Sequence, residues 1–210
     1  MSVTVRLVEV IGRTLRKAYS PKYLLLTNTV TCSALLGVGD AIQQGIGMKF
    51  EISHSPFDIW RTARVTATGV ALGPMNHYWY KFLDLKLPGT NFDTLCRKIL
   101  ADVASCPAFS ATFIVGVGTL EGQSPRSAFQ EYRDKFFTVF SLDLAIWPAT
   151  QFINFWLLPP QVRVLYVSAV QLFYNACISY IKHEDSIRGS RIAFHTIVIK
   201  KLSTINQHLT

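Results

Sequence analysis

The run Trp147-Pro148-x-x-Gln151-x-x-Asn154-Phe155, with Asp143 four residues ahead of it, is the most unusual chemistry-bearing segment of the chain. Asp143, Trp147, Gln151 and Asn154 follow one another at spacings of four, four and three. On a helix this puts a carboxylate, an indole N–H and two amides on one face. Within an apolar helix such groups bond across to a neighbouring helix or line water, and both readings stand. Pro148 removes a backbone donor and bends the helix that carries them. Gly39-Asp40-x-x-Gln43-Gln44 forms a second set. Asp40 and Gln44 share a helical face, where the carboxylate could hold a cation or pair with a basic residue of the next helix. Arg61 and Arg64, three apart, could snorkel to lipid headgroups or face a pore as an anion-attracting ring.

Gly69-x-x-x-Gly73-Pro74 offers packing rather than reactivity. Small residues four apart let two helix backbones approach, and Pro74 introduces a bend that is static or serves as a gate. His77-Tyr78-Trp79-Tyr80 follows it and reads as an interfacial aromatic belt. Catalysis is not expected. There is no Ser/His/Asp order and no paired-carboxylate arrangement. Gly116-x-Gly118 lacks the third glycine of a phosphate loop, and Glu121 stands there instead. Cys32, Cys96, Cys106 and Cys177 include no C-x-x-C pair and no histidine at metal-ligand spacing. The chain is therefore read as no enzyme, with no catalytic residues, no cofactor and no metal.

The elements that must position these groups follow from composition. The chain has 210 residues, half of them hydrophobic and only 16% charged, where soluble domains carry about 25%. Five apolar stretches approach spanning length: Tyr23–Gly39, Val65–Phe82, Val103–Leu120, Phe136–Leu158 and Val164–Ile181. Each apolar stretch is interrupted by polar residues, so the fold class expected is all-α, a polytopic helical membrane bundle of four to five transmembrane helices. Its parts are a basic amphipathic segment at 1–22, the bundle at 23–183 and a basic polar tail at 184–210. The net charge is +8, and residues 1–22 hold five Lys and Arg against Glu9 alone. Such a start suits mitochondrial import or an anionic lipid surface. An even number of spans gathers fourteen Lys and Arg on one side against six, whereas five spans give no bias. That asymmetry favours four, with one of the last two stretches interfacial or re-entrant around Pro159–Pro160.

The chain resembles the Mpv-seventeen and twenty-two-kilodalton peroxisomal membrane protein family over about residues 24–183. The residues that carry the resemblance are Gly39-Asp40-x-x-x-Gln44, Arg61-x-x-Arg64, Gly73-Pro74 with Trp79-Tyr80 and Leu83-Asp84, then Asp102. The Trp147-Pro148-x-x-Gln151-x-x-Asn154-Phe155 signature, Arg163 and Ser179-Tyr180 complete the set. Within the family it is most similar to the second Mpv-seventeen-like branch, through Thr27-Asn28-Thr29, His77-Tyr78-Trp79-Tyr80, Leu120-Glu121-Gly122-Gln123 and Pro159-Pro160-Gln161-x-Arg163. The resemblance adds Asp102 and Arg163 to the polar candidates within the membrane. It implies four membrane helices and the mitochondrial inner membrane, with the peroxisomal membrane as the alternative. It also implies a role in mitochondrial ribosome assembly and translation. The wider family implies a nonselective channel concerned with reactive-oxygen handling and mitochondrial homeostasis. The partners expected are the bilayer, mitochondrial ribosomal subunits met through basic exposed segments, and further copies of the chain.

Overall fold

The structure is a computed structural model and describes residues 12–49 and 56–174. Residues 1–11, the end of the fifth apolar stretch and the tail at 184–210 lie outside the described residues. Among the described residues there is no strand. Four long helices follow one another: α1 (Leu24–Lys49), α2 (Ile59–Lys86), α3 (Phe92–Leu120) and α4 (Pro125–Leu157). A short helical segment at 12–18 precedes them, and a 3-10 turn at Pro160–Val162 leads into helical residues 163–174.

The helices outrun the apolar stretches that announce them. α4 begins at Pro125, not near Phe136, because Ser124 accepts from the Ser127 backbone N–H and Pro125 fits the first helical position. Its first three turns are charged and largely exposed, with Ala128 and Tyr132 buried. α2 begins one residue after Asp58, whose carboxylate accepts from the Arg61 backbone N–H at 3.0 Å. That bond holds the Asp58 pKa below its ordinary value. Both α2 and α4 run on through their prolines, Pro74 and Pro148.

Successive helices are antiparallel neighbours. α1 pairs extensively with α2 and α3 with α4, while α2 also touches α3. Gly122, at φ +92°, makes the tight turn between α3 and α4, a backbone conformation that disfavours a side chain. The turns at 87–91 and 158–162 lie at one end of the bundle, here called proximal, and the turn at 121–124 lies at the distal end.

α1, α3 and α4 are long and apolar enough to cross a bilayer. α2 is long enough but too polar, since Arg61, Arg64, His77, Lys81, Asp84 and Lys86 lie along it. This departs from the expectation that the second stretch is an apolar span of its own. Residues 163–174 are helical, and the rest of the fifth stretch lies outside the described residues. Val164, Val167, Ser168 and Tyr174 are buried in the bundle, over a run about 18 Å long at 1.5 Å per residue.

Two apolar clusters form the interior. One joins Tyr80, Leu83, Leu95, Cys106, Trp147, Phe155, Val164 and Val167. The other joins Cys32, Leu36, Val65 and Leu72, with Phe109, Phe113 and Val117 against it. Leu26, Val30, Val70, Leu100, Phe137 and Trp156 point outward and are exposed, as a lipid-facing surface requires.

Candidate functional site

α4 presents its stripe inward: Asp143, Trp147, Gln151 and Asn154 are all buried. Asp143 is a hub for three elements. It accepts from Trp147 Nε1 at 3.0 Å, from Ser110 Oγ of α3 at 3.1 Å and from Tyr174 OH of the last helical stretch at 2.8 Å. Gln151 donates through Nε2 to Tyr80 OH of α2 at 3.0 Å and accepts from Asn154 Nδ2 at 2.7 Å. Asn154 Oδ1 is buried with no hydrogen-bond partner. Asp102 of α3 accepts from Trp79 Nε1 at 2.9 Å.

Between these groups lies a cavity of about 520 Å³, walled by α1, α2, α3, α4 and residues 163–174. Its wall is largely apolar and aromatic, with Phe109, Phe113 and Trp147, and carries the carboxylates of Asp102 and Asp143. Asn76, Ser105, Ser110, Gln151 and Ser168 supply further polar groups. The distal part of the lining includes Asp134, Lys135 and Thr138 of α4, all three exposed, so the cavity reaches the surface there. A largely apolar concave wall with a few convergent polar groups is the form of a small-molecule site.

At the proximal end the polar contacts are ionic. Arg163 reaches both carboxylate oxygens of Asp84 through one terminal nitrogen, each at 2.6 Å, and donates through Nε to the Leu158 carbonyl at 3.2 Å. Lys98 Nζ stands 2.8 Å from the same carboxylate. Phe155 packs beside both cations, its ring centre 5.5 Å from Lys98 Nζ and 5.3 Å from Arg163 Cζ, within cation–π range. Lys98 and Arg163 are buried, while the Asp84 side chain keeps 27% of its exposure.

The remaining expected groups sit on the α1–α2 seam, away from the cavity. Asp40, buried, receives Arg61 Nε at 2.9 Å, Thr62 Oγ1 at 2.7 Å and Gln44 Nε2 at 2.8 Å. Arg61 is thus an ion-pair partner of the buried carboxylate, with 40% of its side chain still exposed. Arg64 approaches Asp58 at 3.4 Å and Glu121 at 3.9 Å. A Cβ on Gly69 would stand 2.5 Å from Ser33 Cα, and one on Gly73 would stand 2.5 Å from Thr29 Cα. These glycines bring α1 and α2 into backbone contact.

Of the aromatic run at 77–80, Tyr78 alone is exposed. Consecutive helical residues point about 100° apart, so the four meet different neighbours. Tyr78 is exposed, Tyr80 is buried on Gln151, Trp79 donates to Asp102, and His77 Nδ1 lies 2.9 Å from Asn28 Nδ2. The sequence reading did not assign Tyr80, Ser110 and Tyr174 as partners of the stripe, nor Lys98 and Asp84 as partners of Arg163. One signal was present: Lys98 precedes Asp102 by four residues and so shares its face. Among the described residues no group of three His, Cys, Asp or Glu is placed to hold a metal ion.

A profile of the Mpv17 / PMP22 family matches residues 118–179, the segment that contains the α4 stripe. PXMP2/4 family protein 2 of Dictyostelium discoideum is 30% identical over 164 residues, covering 76% of this chain and 85% of that protein. Protein sym-1 of Neurospora crassa is 30% identical over 161 residues, covering 75% and 91%. The mitochondrial inner membrane protein Mpv17 of Mus musculus is 29% identical over 157 residues, covering 74% and 88%. No solved structure matches the chain. An all-helical bundle with this buried signature and these relatives has one assignment: the chain belongs to the Mpv17 / PMP22 family and is a mitochondrial inner-membrane protein.

Proposed function

We propose that the bundle admits a small solute into its central cavity and passes it along the bundle axis, without covalent chemistry. The observation that carries this reading is the cavity of about 520 Å³, with carboxylates, amides and hydroxyls in its wall and its distal part at the surface. Polar side chains at membrane depth are costly unless paired or bathed in a water-filled pathway. Here Asp102, Ser110, Asp143 and Gln151 are paired across to neighbouring helices and also border the open space between them. The test is release from liposomes that hold the purified protein and a graded series of neutral solutes. Release of small solutes above the protein-free rate, with a size cut-off, supports the reading. Tightness to every solute overturns it.

A second reading is support of mitochondrial ribosome assembly and translation. One observation favours it: Arg13, Arg16, Lys17 and Lys22 are all exposed, ahead of α1 and free of acidic neighbours between residues 12 and 23. RNA phosphates attract such a surface, and the contact weakens steeply with salt. Co-sedimentation of the detergent-extracted protein with ribosomal subunits, lost as salt rises, is the expected outcome. Absence from the subunit fractions at low salt overturns it.

A further inference from the structure

We propose that Asp84, Lys98, Phe155 and Arg163 form the gate of the cavity, a charged layer that closes its proximal end and opens by hydration. The inference rests on the solute-passage reading above and adds where passage is stopped.

The four residues share one register. The lining residues nearest the proximal end are Tyr80 of α2, Asp102 of α3, Gln151 of α4 and Val167 of the last helical stretch. Asp84, Lys98, Phe155 and Arg163 stand four residues beyond them on the same four segments, each toward the proximal end. Four residues are about one helical turn. One residue from each segment thus makes a single layer across the cavity floor, and none of the four lines the cavity itself. The layer is closed by side chains alone: Arg163 and Lys98 converge on Asp84, and Phe155 packs beside both cations.

The chemistry of the layer separates a gate from a static plug. An apolar floor would seal more cheaply, since a buried ion cluster loses hydration that its internal attraction barely returns. That near-balance makes the closed and hydrated arrangements similar in free energy. Asp84 is already part exposed, so water reaches the carboxylate that both cations share. Arg163 begins its helix directly after Pro159, Pro160 and a 3-10 turn, with the Leu158 carbonyl as a second acceptor. Release of Arg163 from Asp84 requires movement of side chains and this elbow. The α1–α2 seam, where backbone meets backbone, need not move.

Native Cys106 lines the cavity above the layer and reports access. In a variant with Cys32, Cys96 and Cys177 replaced by Ser, a small membrane-impermeant methanethiosulfonate is added to sealed mitoplasts and to inverted inner-membrane vesicles. A separate Ser124→Cys variant shows which preparation exposes the distal end. Cys106 should react from the distal side only. Asp84→Asn should let it react from both sides, and so should Arg163→Lys, which keeps the charge but loses the Nε donor to the Leu158 carbonyl. Reaction of the parent from both sides equally overturns the gate. So does strict one-sidedness in a folded Asp84→Asn or Arg163→Lys protein. Reaction from neither side instead overturns the open cavity, and the passage reading falls with it.

Discussion

The α1–α2 hairpin and the half of the bundle around α4 are built on opposite rules. Between α1 and α2, side chains are absent where the helices cross: Gly37, Gly69 and Gly73 leave no space for a Cβ beside Thr66, Ser33 and Thr29. Around α4, long side chains meet tip to tip through hydroxyls, amides and ion pairs, and about 520 Å³ stays open. A glycine seam admits one register and transmits displacement rigidly. Interhelical hydrogen bonds average about 0.6 kcal/mol each and can be traded for water. The contrast teaches where change is affordable in this fold: the hairpin is the fixed frame, and the half around α4 is the part that can rearrange around a solute.

The contrast is broken most severely by removing the shared carboxylate. Asp84→Leu leaves Lys98 and Arg163 buried without a counter-charge and should lower stability by about 3–5 kcal/mol. The triple variant Asp84→Leu, Lys98→Met, Arg163→Met should match or exceed the wild type, because an apolar layer needs no desolvated ions. Thermal unfolding in detergent compares them. If the single and triple variants fall equally, the ionic layer is not what the substitution breaks.

Next in size is the seam. Gly73→Leu places atoms against the Thr29 backbone and should cost about 3 kcal/mol, the upper end of ordinary overpacking. Gly45→Ala is the control, since a Cβ at Gly45 meets nothing within 4 Å. A smaller loss is expected from Gln151→Leu, which removes the bonds to Tyr80 and Asn154 and should cost about 1 kcal/mol. Equal losses at Gly73 and Gln151, in the same unfolding assay, would erase the distinction between a backbone seam and a tip-to-tip half.

The sequence exposes these two halves unequally. The stripe Asp143, Trp147, Gln151 and Asn154 is legible because helical periodicity alone puts it on one face. The small-residue pair Gly69 and Gly73 is legible for the same reason. What faces them is not. Tyr80, Ser110 and Tyr174 meet the stripe only through the relative register of separate helices, which the seam and the short turns fix. Asp84 and Lys98 look like ordinary flanking charges until the chain returns Arg163 to them, 79 residues after Asp84. The bounds of α3 and α4 escape for another reason: hydropathy marks the lipid-crossing part, while capping by Ser124 and charged opening turns extend the helix into water.

The cavity is the centre of this account, and filling it is the most direct measurement. Val139 lines it from α4, and no hydrogen bond of its side chain would be lost on substitution, since valine carries none. Val139→Trp and the control Val139→Ala are compared with the wild type in liposomes, with solute release read against melting temperature in the same detergent preparation. The account predicts that Val139→Trp folds and releases solute far more slowly than the wild type, while Val139→Ala releases it at least as fast. Undiminished release through a folded Val139→Trp protein would contradict it.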